Sequence, residues 1–461
     1  MRFCYFRICQ KRLNRAKLKC NNLQDTEFFE EKLKMISKCK TALVLALGLA
    51  GVTSASAAEL TIAIVNNGHM INMQKVAEAY TEETGVKLNW VSLEEGVLRE
   101  QVTSDTATGG GEYDIINIGM YEAPIWGAAG WIEPLEFSAD YDVDDILPAM
   151  RAGLSHDGTL YAAPFYGESS MVMYRKDLTD AAGVTIADND SWENVKAAAA
   201  AIHDPDNGVY GACLRGKPGW GDNGAFITTV ANSFGARWFD ADFKPQLDSP
   251  EWKAAAEFYV DFLSTYGPPG SEGNSFNEIL ALYNEGKCGL WIDATIAASF
   301  LEVDGVAYAQ SPNAGNPVGA NWLWAWAMAI PAGSPNAEES QKFIEWATSK
   351  EYVQAVGNHP EFGWGSVPTG QRASTYALPE FKEAAGFAAA EMAAIESAAP
   401  EATELKPYTG VQFAAIPEFQ EIGQAFGQEM AAALSGAKSV EDALAASQKA
   451  ADAIMQEAGY Y

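Results

Sequence analysis

Pro164-Phe-Tyr-Gly-Glu-Ser-Ser-Met-Val-Met-Tyr-Arg-Lys-Asp177 starts with a turn-prone Pro and a Gly, continues as an apolar run, and ends in charges. Met171, Met173 and Tyr174 sit in its middle, as a buried strand would place them. Long regions of α/β pattern flank it on both sides. The stretch therefore reads as a hinge strand that leaves one lobe, lines a cleft with Tyr166 and Glu168, and enters a second lobe. Without those flanks, the same run would be an ordinary core strand with two polar residues at its rim.

Upstream, Leu60 to Val65 reads as a strand, followed by the polar turn Asn66-Asn67-Gly68-His69. Met73, Val76, Ala77 and Tyr80 then recur at helical spacing, and Gly85 closes that helix. Val86, Leu88 and Trp90 alternate with polar residues as a strand does. A helix over 93–106 and the turn Gly109-Gly110-Gly111 lead to a strand at Tyr113 to Ile118. This β-α-β-α-β order predicts a parallel, helix-covered sheet, whose ligands bind beyond the carboxyl ends of the strands. That rule selects Asn66, Asn67 and His69 after the first strand and Tyr121 with Glu122 after the third.

Downstream, Ser191 caps a helix from Trp192 to Ile202, and a strand at Tyr210 to Leu214 opens the loop Arg215-Gly-Lys-Pro-Gly-Trp-Gly-Asp-Asn223. Helices containing Trp252 to Leu263 and Phe276 to Asn284 precede the strand Cys288 to Asp293. Trp322, Trp324 and Trp326 are spaced by two, which puts them on one face of a strand and marks a second crossing between lobes. The Gly- and aromatic-rich segment His359 to Pro368 reads as a third. A helix from Ala337 to Thr348 lies between them, and the last helix starts at Ser439-Val-Glu-Asp442, a capping-box pattern. The expected lobes are 59–165 with 327–367, and 166–326 with 368–461.

A chain of 461 residues is too long for a single core. Its charge is uneven. Removing the 11 basic and 4 acidic residues of positions 1–58 from the chain's 31 and 61 leaves 20 against 57, a net charge of −37. Such a body repels phosphate backbones and anionic lipid, so roles on nucleic acid or at a membrane surface are disfavoured. The basic start Met35 to Lys40, the apolar run Ala42 to Val52 and Ala55-Ser56-Ala57 form a secretory signal peptide over 35–58. Residues 1–34 read as an upstream extension that is not part of the native protein. No Cys follows the apolar run, so a protein released into the periplasm without a lipid anchor is expected. Four of the six cysteines (Cys4, Cys9, Cys20, Cys39) precede the mature chain. The remaining two, Cys213 and Cys288, either pair or stay as buried thiols, because sequence does not supply their Cα separation.

Enzyme signatures are missing: there is no GxSxG, HExxH or Walker loop, and four histidines are few for metal chemistry. With this many acids a carboxylate pair for glycoside hydrolysis is always available on paper. What stands out is a set of loop aromatics mixed with hydrogen-bonding groups. Trp220 with Asp222 and Asn223, Trp238 after Arg237, Asp293 at a strand end, and Tyr408 with Gln412 and Phe413 are the main cases. Carbohydrate-like ligands need this mixture, since their hydroxyls seek Asp, Glu, Asn and Arg while their C–H faces pack on rings.

The hinge stretch Tyr166 to Asp177, together with Tyr113-Asp-Ile-Ile116 and Gly130-Trp-Ile-Glu-Pro134, resembles the periplasmic sugar-binding proteins of ABC importers, extracellular solute-binding protein family 1. Cys213-Leu-Arg-Gly-Lys-Pro-Gly-Trp-Gly221, Arg237-Trp-Phe239 and Lys287 to Thr295 are similar to the sorbitol/mannitol-type polyol-binding subgroup. The resemblance implies a two-lobed α/β flytrap: each lobe a mostly parallel sheet flanked by helices, with a multi-strand hinge. It implies a non-catalytic monomer that closes on an acyclic polyol and delivers it to the transmembrane subunits of an ABC permease, with no cofactor. Glu168, Asp293 and Arg215 would hold hydroxyls, with Asn66 or Asn67 opposite. Trp220, Trp238 and Phe413 would pack on the carbon chain, and His69, Tyr121, Tyr166, Asp222, Trp322 and Gln412 complete the expected set. Asn66-Asn67-Gly-His69 departs from the acidic-basic pair of maltose-type proteins, which argues against a maltodextrin. The alternatives are a mono- or oligosaccharide carrier of the same fold, and a secreted glycosidase.

Overall fold

The computed structural model describes residues 58–398, 400 and 411–461. The expected upstream extension, the expected signal peptide except for Ala58, the four early cysteines and Tyr408 lie outside the described residues.

The first sheet grows from β1 (Glu59–Val65), whose Leu60, Ile62, Ala63 and Ile64 are all buried, as in a strand covered on both faces. Helix α1 (Gly68–Thr84) starts where the Asn67 side chain accepts from the Met70 N–H at 3.1 Å, and ends at Gly85 with φ 77°. The helix thus begins two residues earlier than the polar turn suggests, because Asn67 is its cap. Next come β2 (Lys87–Leu93), α2 (Glu95–Thr108), β3 (Ile115–Ile118) and α3 (Glu122–Ala129). After the small hairpin β4 (Ser155–His156) and β5 (Thr159–Leu160) comes β6 (Ala163–Glu168), then β7 (Ser170–Arg175).

The second sheet collects β7, β8 (Tyr210–Cys213), β9 (Cys288–Ala294) and β10 (Val306–Gln310), around helices α4 (Trp192–Ile202), α5 (Ala225–Ser233), α6 (Pro250–Tyr266) and α7 (Phe276–Asn284). The Ser191 hydroxyl caps α4, and Ser275 with Glu278 forms a reciprocal capping box at α7. The chain then passes to β11 (Trp324–Ala329), α8 (Ala337–Ala347), α9 (Ala388–Ser397), α10 (Phe419–Leu434) and α11 (Val440–Ala458).

Strand order in the first sheet is β2-β1-β3-β11-β6, with β2, β1 and β3 parallel and β11 antiparallel to both its neighbours. In the second sheet the order is β10-β7-β9-β8, where only β7 runs against the rest. The strand that enters each sheet from a crossing, β7 or β11, is thus the antiparallel one.

Backbone pairing places the crossings. β6 stays hydrogen-bonded to β11 as far as Glu168, so the first change of sheet falls at Ser169, not between residues 165 and 166. All of β11 pairs within the first sheet, which puts the second change before Trp324 rather than after Trp326. A third pass touches the first directly: Gly167 N donates to Thr369 O at 2.8 Å. A Cβ on Gly167 would sit 2.3 Å from the Gly370 carbonyl oxygen, so only glycine lets these backbones meet. Cys213 and Cys288 form a disulfide with a Cα separation of 5.8 Å.

Candidate functional site

Two adjoining cavities lie between the carboxyl ends of the first sheet's strands and the loops of the second sheet. The outer one, about 610 Å³, is lined by Asn66, Asn67, His69, Glu94, Tyr166, Lys217, Phe276, Asn277 and Phe300, among others. The inner one, about 350 Å³, is lined by Arg99, Trp220, Trp322, Trp324 and Gln412, with Gly221 and Ala225. Glu95, Glu168, Arg215 and Trp326 line both and form the neck between them.

The neck is electrostatically dense. Glu168, last residue of β6, is 6% exposed, and among the described residues no protein group donates to its carboxyl. Burial raises its pKa well above the usual carboxylate range against the pull of Arg215, while Asp293, Glu95 and Glu391 push the same way as burial. A carboxyl held toward its neutral form both donates and accepts, which suits a ligand hydroxyl. Arg215 is clamped from behind: its Nε and Nη2 donate to Asp293 at 2.7–3.0 Å, and Nη1 donates to Gly221 O at 2.9 Å.

Asp293 is fully buried and lines neither cavity. Besides Arg215, its oxygens accept from Trp291 Nε1 at 3.0 Å and from Ala294 N at 2.7 Å. Its acceptor sites are thus filled by protein, and it orients Arg215 rather than meeting ligand, which corrects the expectation that it holds hydroxyls. Arg99, missed in the sequence, pairs with Glu95 at 2.9 Å and with Glu122, and its guanidinium lies 4.1 Å from the Trp220 ring centroid and 4.7 Å from that of Trp326. This cation holds the tryptophan wall in place.

The first-sheet wall follows the strand-end rule. Asn67 Nδ2 donates to the Tyr166 hydroxyl at 2.7 Å, and Asn66 presents its carbonyl to Asn277 Nδ2 at 2.9 Å. His69 is 2% exposed between the rings of Tyr166 and Phe300, with centroids 5.2 and 4.7 Å away, and burial lowers its pKa to about 3. Gln412 lines the inner cavity, but its amide is spent on the Leu323 backbone, donating to O at 3.0 Å and accepting from N at 3.3 Å.

Four expected residues stand behind the wall. The Tyr121 hydroxyl donates to Pro417 O at 2.9 Å and accepts from Gln420 N at 3.2 Å, so it secures the approach to α10. Phe413 packs edge-on against Tyr121, Trp220 and Trp324. Trp238 packs against Trp252, Phe419 and Phe426, so its ring belongs to the core and is not a ligand platform. Asp222 accepts from the Ser275 hydroxyl, and burial with Glu95 nearby pushes it up to about 7. None of the four lines either cavity. Conversely, Glu95, Arg99, Trp324, Trp326 and Phe276 line the cleft without having been chosen. For the two tryptophans the signal was present, since their spacing of two matches Trp322. For Glu95 and Arg99, on an ordinary-looking helix, there was none.

The model of the bacterial extracellular solute-binding protein family matches residues 67–354. The chain belongs to this family. Members bind small sugars or polyols outside the membrane and work with ABC permeases, and their two-lobed fold is the one described above. This solute-binding protein is 46% identical to a mannitol-binding protein of Pseudomonas aeruginosa over 436 residues, covering 92% of this chain and 99% of that protein. It is 51% identical, with a TM-score of 0.85, to an ABC transporter solute-binding protein from Agrobacterium vitis S4 solved with bound D-mannitol, covering 87% of this chain and 99% of that one. A solute-binding protein from Agrobacterium radiobacter K84 in complex with ribitol has a TM-score of 0.76 at 24% identity, covers 86% of this chain and 98% of that one, and supports the fold alone. Among the described residues no helix is long and apolar enough to cross a membrane, and no group of three or more His, Cys, Asp or Glu could hold a metal ion.

Proposed function

We propose that this protein is the non-catalytic, periplasmic capture component of an ABC importer, working as a monomer. It takes an acyclic polyol of the mannitol, sorbitol or arabitol kind and hands it to the transmembrane subunits. The observation that carries this reading is the neck: a Glu168 carboxyl without a donor among the described residues, beside a clamped Arg215 and joined to a wall of Trp220, Trp322, Trp324 and Trp326. Hydroxyls need the first pair and a C–H backbone needs the second. The similarity to proteins that are named for, or solved with, mannitol supports the same solute class. The lobes are taken to follow the two sheets, with the passes at Ser169, between Gln310 and Trp324, and near Thr369. Each lobe then contributes one wall, and closure brings them together.

The test is a thermal-shift panel of polyols and hexoses. A ligand present at a hundred times its dissociation constant adds about 2.7 kcal/mol to stability. A clear rise in melting temperature with mannitol, sorbitol or arabitol is expected, as is no release of phenol from aryl glycosides. A panel with no shift at all would remove the proposal.

A further inference from the structure

Among the described residues, three side chains that line the cleft carry a buried polar atom with no hydrogen-bond partner: His69 Nε2 in the outer cavity, and Trp220 Nε1 and Trp322 Nε1 in the inner one. They are 2%, 3% and 3% exposed. Buried polar atoms are seldom left unmet, so atoms of this kind on the wall of a binding cavity mark where a ligand's polar atoms belong. Much of the remaining polar wall is already committed. Asn67 is tied to Tyr166 and Met70, the amide of Gln412 to Leu323, and Arg215 to Asp293 and Gly221. Open hydrogen-bonding capacity therefore lies on either side of the neck, with Glu168 between.

We infer that the cleft reads the two terminal hydroxyls of an acyclic ligand at these separate points, one against His69 and the other against the indole N–H groups of Trp220 and Trp322. The inference rests on the polyol reading and deepens it. The two reading points differ in chemistry. An imidazole nitrogen meets a hydroxyl in either tautomer, because a hydroxyl both gives and accepts. Burial keeps this imidazole neutral down to about pH 3, so the contact does not switch with pH in the ordinary range. An indole only donates, so the group it meets must offer a lone pair, and an ammonium terminus is refused. Two fixed points flanking a neck also measure length. An open chain that reaches both gains both contacts, a shorter one gains a single contact, and a ring sugar folds its carbons back and ties up one oxygen.

The experiment is calorimetric titration of the wild-type protein, His69→Phe and Trp322→Phe. Both substitutions keep a ring in place and remove the nitrogen. The ligands are mannitol, erythritol, and mannitol lacking one terminal hydroxyl. Each variant is expected to bind mannitol about ten- to a hundredfold more weakly than wild type. Erythritol, which reaches one point, is expected to be weakened by only one of the two substitutions. Mannitol is two-fold symmetric, so its deoxy analogue can always place the missing hydroxyl where the partner has been removed. The analogue is therefore expected to bind wild type more weakly than mannitol does, to match mannitol in His69→Phe, and to lose less than in wild type in Trp322→Phe, where Trp220 still offers one N–H. The wild-type comparison uses unaltered protein, so it stands even if a variant fails to fold. If wild type binds the analogue and mannitol equally, or if the analogue's loss persists in full in both variants, the two-point reading is overturned while the polyol function survives. A wild-type protein that binds no polyol removes both.

Discussion

At the scale of single residues, Glu391 shows how the fold sets a titration. It is completely buried, and its carboxyl accepts from Thr369 Oγ1 at 2.9 Å and from the Tyr376 hydroxyl at 2.6 Å. Burial raises its pKa from 4.5 to about 7 against the pull of those hydrogen bonds. A folded value above the unfolded one means that the stabilising contribution is complete below about pH 4.5 and is lost as pH rises through 7. Glu391→Gln keeps a neutral group of the same shape. It is expected to match wild type near pH 4 and to be more stable by about 1–3 kcal/mol at pH 8.5, measured by urea denaturation at both pH values. Asp222 shifts in the same direction and His69 in the opposite sense, but both cancel in the difference between variant and wild type. An equal offset at both pH values would show that Glu391 does not carry the effect. Which residues the sequence revealed follows from geometry of this kind. Asn67, His69 and Glu168 were legible because strand ends face a cleft. The role of Asp293 was not, because whether a carboxylate meets ligand or clamps an arginine depends on a partner 78 positions away. Tyr121, Trp238 and Phe413 have the composition of ligand platforms, and only packing shows that they seal α10 and its approach against the body.

At the scale of elements, sequence period and caps located most helices and strands to within two residues, because Ser191, Ser439 and Gly85 act locally. The crossings were legible in kind but displaced by a few residues. Alternation marks a strand, but only its hydrogen-bonded neighbour says which sheet owns it. The tight backbone approach of Gly167 to Gly370 left no signal beyond two common glycines. Gly370 has φ 68°, and a Cβ there would lie 2.0 Å from the Gly167 carbonyl oxygen, a rigid backbone atom. Gly436, with φ 75°, has nothing within 4 Å of the same position. Both pay the left-handed penalty of about 1 kcal/mol when replaced by alanine, but only Gly370 adds a collision. Gly370→Ala is therefore expected to lose at least about 2 kcal/mol more than Gly436→Ala in urea denaturation. Equal losses would mean that the passes separate easily at this point.

At the scale of the whole molecule, the proposed function is a balance between two arrangements of the same lobes, and a ligand acts only through its preference for one of them. Direct bonds join the two sides at the rim of the outer cavity. Asn277 Nδ2 donates to Asn66 O at 2.9 Å, and Lys217 Nζ donates to Glu94 Oε1 at 2.7 Å. Glu94 stands at the N-terminal cap of α2, where the helix dipole favours an acid, and Lys217 lies on the loop that positions Arg215. Under the proposed closure the pair forms only when the sides meet, so it belongs to the closed arrangement. Both partners are partly exposed, at 30% and 43% of their side chains, so the pair is worth about 0.2–1 kcal/mol and is screened by salt. Lys217→Met keeps the aliphatic stem and removes the charge. At low ionic strength it is expected to weaken mannitol binding about two- to fivefold, and at 1 M salt to bind as wild type does, because screening has already removed the contribution there. X-ray scattering should show both proteins reaching the same compact form at saturating ligand, with the variant needing more ligand to get there. If Lys217→Met kept the wild-type salt dependence, the attraction across the rim would have to come from other charges, and closure would rest on the ligand and the neck alone.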